Sequence, residues 1–342
     1  MENLFYFYRV SFDTLIEPAK LSLYFQKVRR KIMLIDMLGL LVGGFLLANQ
    51  NPINARLGAV FQSPFRSSLI SFSVGLIFLL IVFVVTGQHI TLAANQPWWI
   101  WIPGVFAVIY LTSNILLFPK IGAIQAVVFP IVGQVLMGLL IDTFGWFEAK
   151  QVPLTFIKIL GAVVLLIGVF IAVVWANRQV LAREEALDEA RESQSELNLW
   201  RVWGVIAGAV SSTQQAISGR LSVALGTPIG AAIVSFAVGV VIILLVVLIR
   251  DKRLTPTTSI KGQPKWLYIG GVLGSLFVVA MAIGVPALGA GFAVMIGLIG
   301  TLIGSMAVAH FGWWQSPRSA VSFLKIIGIV IMAIGVALIK LG

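Results

Sequence analysis

Residues 44–75 and 208–239 are two copies of one stretch, and this duplication limits the architecture more than any other feature of the chain. The first copy reads G-F-L-L-A-N-Q-N-P-I-N-A-R-L-G and goes on as S-P-F-R-S-S-L-I-S-F-S-V-G. The second reads G-A-V-S-S-T-Q-Q-A-I-S-G-R-L-S and goes on as T-P-I-G-A-A-I-V-S-F-A-V-G. A shift of 164 positions (208 − 44) superposes them without a gap, placing Gln50 on Gln214, Arg56 on Arg220, Pro64 on Pro228 and Gly75 on Gly239. Apolar composition alone does not repeat Gln, Arg and Pro in register, so the chain is a tandem duplication. Later the shift becomes 167 (289 − 122): Gly122 falls on Gly289, Gly133 on Gly300, Lys158 on Lys325, and Phe144, Gly145 and Trp146 on Phe311, Gly312 and Trp313.

What the duplicated unit can be follows from its polarity. Of the 342 residues 59% are hydrophobic and 11% are charged, against about 25% charged in soluble domains. So little polar surface excludes a water-soluble globule and leaves an all-α, polytopic membrane protein. The net charge of +11 does not point to nucleic acid, because the basic residues flank apolar runs and meet anionic headgroups there. With no cysteine and only His89 and His310, no metal site and no cofactor are expected. No removable signal peptide is expected at the start, since the first apolar run follows a long polar stretch and lacks a small-residue cleavage signature.

A transmembrane helix needs about 20 mainly apolar residues to cross roughly 30 Å of hydrocarbon. By that measure residues 33–53, 66–86, 98–118, 121–141 and 154–176 are five spans, and residues 202–221, 228–250, 266–286, 288–309 and 320–341 are five more. The expected organisation is a basic and aromatic extension (1–32), a first five-span repeat (33–176), a polar linker helix (177–201) and a second five-span repeat (202–342). The extension reads as an interfacial segment, a disordered tail or a start placed too early. The linker carries acids and arginines at helical pairing distances; a docking role is its alternative reading. An odd number of spans per copy makes the two copies insert in opposite directions. Inverted repeats are a hallmark of secondary transporters. Arg201, Arg250, Lys252, Arg253, Lys261, Lys265, Arg318 and Lys325 share the linker's side, which places the linker in the cytoplasm; the basic extension then lies on the unfavoured side.

The runs A-N-Q-N-P-I-N-A-R-L-G, S-F-S-V-G and G-Q-V-L-M-G-L-L-I-D-T-F-G-W resemble the YdcZ-like family of inner-membrane proteins in the drug/metabolite transporter superfamily. The resemblance covers residues 33–342 and is more specific in the first copy, since Gln134 becomes Thr301, Asp142 becomes Ala309 and Asn54 becomes Ser218. It implies a ten-span transporter fold in the cell membrane and an export role, without naming a substrate.

Polar side chains at membrane depth are the candidate substrate-binding residues, because they must face a partner or an aqueous cavity. Asn49, Gln50 and Asn54 cluster late in span one, with Gln214, Gln215 and Ser218 in the second copy. Gln134 lies inside span four, four residues after Pro130, and Thr301 is its counterpart; Tyr110 and Asn114 share a face of span three. Amides that both donate and accept suit a polar substrate; the competing reading is inter-helix bonding, or for Gln134 a bond to the carbonyl freed by Pro130. Pro52, present only in the first copy, is expected to kink or end its helix. Arg56 and Arg220 are candidates for gating or charge pairing, against simple snorkelling. Asp142 is a candidate for charge pairing or proton coupling, against a solvated interfacial carboxylate. No acid falls mid-span. No H-E-x-x-H, G-x-S-x-G or phosphate loop supports an enzyme. The expectation is a secondary transporter of small polar or amphipathic metabolites, embedded in lipid, coupled to a proton or sodium ion or to neither; a non-transporting scaffold or receptor is the alternative.

Overall fold

The structure, a computed structural model, describes residues 18–189, 193–254, 262–316 and 318–342. Among them α1 is Pro18–Phe61, α2 Pro64–Val85, α3 Pro103–Phe144, α4 Phe156–Val169, α5 Arg178–Glu189, α6 Gln194–Leu225, α7 Pro228–Arg250, α8 Gly270–Leu288, α9 Ala290–Phe311 and α10 Phe323–Leu341. α3 is two spans in one continuous stretch. At Ile121 (φ −129°) and Gly122 (φ 69°) the backbone leaves the helical region, dividing α3a (residues 103–120) from α3b (123–144). In the second copy Gly289, with φ 97°, makes the same break between α8 and α9. A positive φ of this kind suits glycine, which has no Cβ to clash. With α5 as the connection between the halves, five helices precede it and five follow. Eight of the ten are long and apolar enough to cross a membrane. The other two, α3a and α6, carry half of the candidate substrate-binding residues: Tyr110, Asn114, Gln214, Gln215 and Ser218.

The halves pack through contacts that a two-fold exchange maps onto each other. A Cβ on Gly208 would lie 2.7 Å from the Pro130 carbonyl carbon and 2.9 Å from Gln134 N. One on Gly44 would lie 3.0 Å from the Gly297 carbonyl carbon and 2.8 Å from Thr301 N, the repeat mates of those atoms. Gly161 meets Gly335 while Gly168 meets Gly328, and Gly75 meets Phe236 while Gly239 meets Phe72; each pair exchanges into the other. The Phe72 and Phe236 rings themselves touch, with centroids 5.1 Å apart. Small residues let these backbones approach closely, as helix association in lipid requires. α1 runs parallel to α9 and α6 parallel to α3b, whereas α4 and α10 are antiparallel, as are α2 and α7. These directions are those of ten alternating spans in which the second five are inverted.

Local signals set the helix ends. Ser63 and its mate Thr227 cap α2 and α7, accepting from Arg66 N and Gly230 N, and each is followed by a proline at the first helical position. The Ser63 hydroxyl also donates to Asp251, and the Thr227 hydroxyl to Gln88. Around the outside, Ile77, Leu80, Ile81 and Val84 of α2 and Val241, Leu245, Leu248 and Ile249 of α7 are exposed, forming faces suited to lipid. The main buried cluster gathers on α9, from Ala290 to Leu302, against Leu40, Ile131, Val135, Leu165 and Met332.

Three boundaries differ from the sequence expectation. Residues 1–17 lie outside the described residues, but from Pro18 the chain is helical and continuous with span one, because proline is tolerated in a first turn. Pro52 neither ends nor visibly breaks α1, which runs on to Phe61. The linker is not one helix over 177–201: α6 begins at Gln194, where Ser193 and Glu196 form a reciprocal capping box. Residues 190–192 lie outside the described residues.

Candidate substrate-binding site

The polar residues of span three and span four come together. The Gln134 amide donates to the Tyr110 hydroxyl at 3.1 Å. Asn114 donates to the Tyr110 carbonyl oxygen, four residues back, at 3.0 Å. From the other half, Ser212 of α6 donates to the Gln134 carbonyl oxygen at 2.8 Å. Gln134 does not turn back to the carbonyl freed by Pro130; it reaches across the α3 break to the preceding arm. The repeat mates of Tyr110 and Asn114 are Phe277 and Met281, which pack against α9 in the apolar cluster. The mate of Gln134, Thr301, spends its hydroxyl on Gly297 O of its own helix at 2.9 Å. The side-chain cluster of Tyr110, Asn114 and Gln134 is thus not repeated in the second half.

The residues of the duplicated stretch spread over the rest of the bundle. Gln50 donates to Ser71 of α2 at 3.3 Å and abuts Gly274 of α8. Its mate Gln214 is half-buried on α6. Asn49 is already partly engaged: it donates to Phe45 O at 2.8 Å, and its carbonyl oxygen accepts from Trp314 at 2.8 Å. Gln215 donates to Ser211 O at 3.3 Å. Five side-chain oxygens among the described residues are buried without a hydrogen-bond partner, and three of them belong to the duplicated stretch: Asn54 Oδ1, Gln215 Oε1 and Ser218 Oγ. Asn54 and Ser218 are repeat mates, so a matched position carries an unsatisfied oxygen in each half. An unmet buried group costs about 1–3 kcal/mol, which a bound ligand or water would relieve.

The ends of α3b and α9 fold into matching turns. Phe147 and Glu148, and their mates Trp314 and Gln315, all have positive φ near 60°. Phe147 meets Trp99 edge-on at 5.7 Å, and Trp314 meets Trp266 at 5.4 Å, again a pair related by the repeat. On the side away from the linker Arg220 pairs with Glu148. On the linker side the corresponding residues are Arg56, which is exposed, and uncharged Gln315. Sequence reasoning singled out both arginines and saw Glu148 as a span-end acid, but did not pair it with Arg220. It also missed a linker-side pair, Arg66 with Asp251 at 3.1 Å.

Asp142 pairs with neither arginine. Its carboxylate accepts from Ala290 N at 2.7 Å and Gly291 N at 2.8 Å, the first amides of α9 after the Gly289 break. A carboxylate there meets unpaired donors and the positive end of the helix dipole. Asp142 also lines a cleft of about 760 Å³ with Asp36, Lys150, Lys158, Lys340 and apolar residues of α1, α9 and α10. Two charge-assisted bonds of about 1.5–3 kcal/mol each make Asp142→Ala strongly destabilising, by about 3 kcal/mol or more. Asp142→Asn, which keeps one acceptor oxygen, is expected to lose about half as much. Thermal unfolding of the purified protein in detergent measures the order wild type, Asn, Ala.

A model of the family described as "Putative inner membrane exporter, YdcZ" matches residues 35–171 and again residues 199–338, once for each half. No curated protein matches the chain. A solved structure described as "Crystal structure of protein" is similar with 14% sequence identity and a TM-score of 0.62, covering 90% of this chain and 96% of that one; at that identity it shows the fold alone. With both copies matched over most of their length, the chain belongs to the YdcZ family, the one described as "Putative inner membrane exporter, YdcZ".

Proposed function

We propose that the protein is a secondary transporter that exports small polar or amphipathic metabolites by alternating access. The observation that carries this reading is that the glycine and aromatic contacts between the inverted halves recur as exchanged pairs, as halves that swap conformations to open one face while the other closes would need. The substrate is held near Tyr110, Asn114 and Gln134, with the unsatisfied oxygens of Asn54, Gln215 and Ser218 along its route. Trp99 with Phe147, and Trp266 with Trp314, close the two mouths; Arg220 and Glu148 lock the one away from the linker. Coupling to a proton has one candidate in Asp142, whose protonation would weaken its hold on the α9 entry.

Purified protein in sealed liposomes, presented with a metabolite mixture, is expected to move at least one component across the bilayer faster than protein-free liposomes do. If nothing moves with correctly folded protein, the scaffold or receptor reading replaces this one.

A further inference from the structure

The two breaks in the fold are capped by different parts of the chain. At the α9 entry, Asp142 accepts from Gly291 N and lies 3.1 Å from where a Gly289 Cβ would be. The mate of Gly291 is Ile124 and the mate of Gly289 is Gly122. Ile124 N donates to Glu184 Oε2 at 3.3 Å, and a Gly122 Cβ would lie 2.6 Å from that same oxygen. The same backbone amide beside the same glycine therefore holds a carboxylate in both halves. In the second copy the mate of Asp142 is Ala309, which has no carboxylate to offer. Glu184 comes instead from α5, the polar helix that joins the halves.

We propose that α5 is a strap rather than a passive connection: Glu184 fastens it across the entry of α3b and replaces the carboxylate that Ala309 lacks. Neighbouring contacts hold the strap in register. Gln125 of α3b donates to Glu185 at 3.4 Å and accepts from Arg201 of α6 at 2.8 Å. Lys120, at the end of α3a, lies 5.8 Å from the Trp200 ring centre. One entry is thus closed by a side chain rigidly built into a neighbouring span, the other by a helix too polar to enter the membrane. The linker-side entry is the one that can be released without unpacking a span.

Three full-length variants test this: Glu184→Ala, Ala309→Asp and the two combined. Thermal unfolding reports the capping of α3b, and amide hydrogen exchange over residues 178–189 reports the attachment of α5. Glu184→Ala is expected to lower the unfolding temperature and to speed exchange in α5 by roughly tenfold. Adding Ala309→Asp is expected to restore the unfolding temperature while exchange in α5 stays fast, because the entry is capped again but the strap is off. A role for Glu184 in α5 alone would not be rescued from α9. If Glu184→Ala does not fold, Glu184→Gln is read in the same way with smaller shifts. Unchanged exchange in the Glu184 variant, or failure of Ala309→Asp to raise its unfolding temperature, would overturn the proposal. Neither outcome depends on transport.

Discussion

Gly208→Ala and Gly44→Ala are each expected to prevent recovery of correctly folded protein, whereas Gly39→Ala is expected to leave recovery unchanged or improve it. The added methyl is the same; what it meets differs. On Gly208 it would press on the backbone of Pro130 and Gln134, and on Gly44 on the backbone of Gly297 and Thr301. Backbone atoms have no rotamer with which to yield, so α6 must part from α3b, or α1 from α9. Overpacking ordinarily costs about 1–3 kcal/mol, occasionally more, and here the strain falls where the halves join. Around Gly39 nothing lies within 4 Å of the new methyl, and Ala is favoured over Gly in a helix by about 1 kcal/mol. Size-exclusion profiles of fluorescent fusions at equal expression measure the difference. Equal tolerance at all three positions would mean that the inter-half contacts do not hold the fold.

The second large effect concerns transport at unchanged fold. Gln134→Ala and Tyr110→Phe are expected to cut transport by roughly 10- to 100-fold, since each removes polar contacts worth about 1.4 kcal/mol per factor of ten. Thr301→Ala is expected to cost less than about threefold, because that hydroxyl is already spent on its own helix; a helix-internal bond of this type contributes little to binding. The comparison uses liposomes with matched amounts of monodisperse protein. If Thr301→Ala were as damaging as Gln134→Ala, the substrate would be shared evenly by the halves and the first-half cluster would not be the selective one.

Much of this arrangement could be read from sequence because the duplication itself carries three-dimensional information. Five spans per copy dictate inversion, and inversion dictates that contacts occur in exchanged pairs. That is why the aligned glycines Gly44 and Gly208 turn out to occupy equivalent interfaces. The pairing of Gln134 with Tyr110 was half legible: both were candidates, but their meeting depends on the fold-back at Gly122, whose φ no periodicity reveals. Asp142 was harder. In sequence it is one acid at the end of a span, and its partners, Ala290 and Gly291, are backbone amides that look like nothing in a one-letter code. Glu184 was invisible for a related reason. It sits among acids and arginines spaced for pairing along a helix, which masks a bond to an amide 60 residues away. Its one signal was the exchange of Asp142 for Ala309, which leaves the second break without a carboxylate.

Two copies of one five-span fold, inserted in opposite directions around a shared interface, put the linker and Gly342 on opposite faces of the membrane. Reporter fusions placed in the linker, before Ser193, and after Gly342 test it directly, since one reporter is active only in the cytoplasm and the other only outside it. Five spans separate the two positions, so the linker is expected to report cytoplasm and Gly342 the opposite face. If both positions report the same side, the second copy does not cross the membrane five times, and the inverted architecture is wrong.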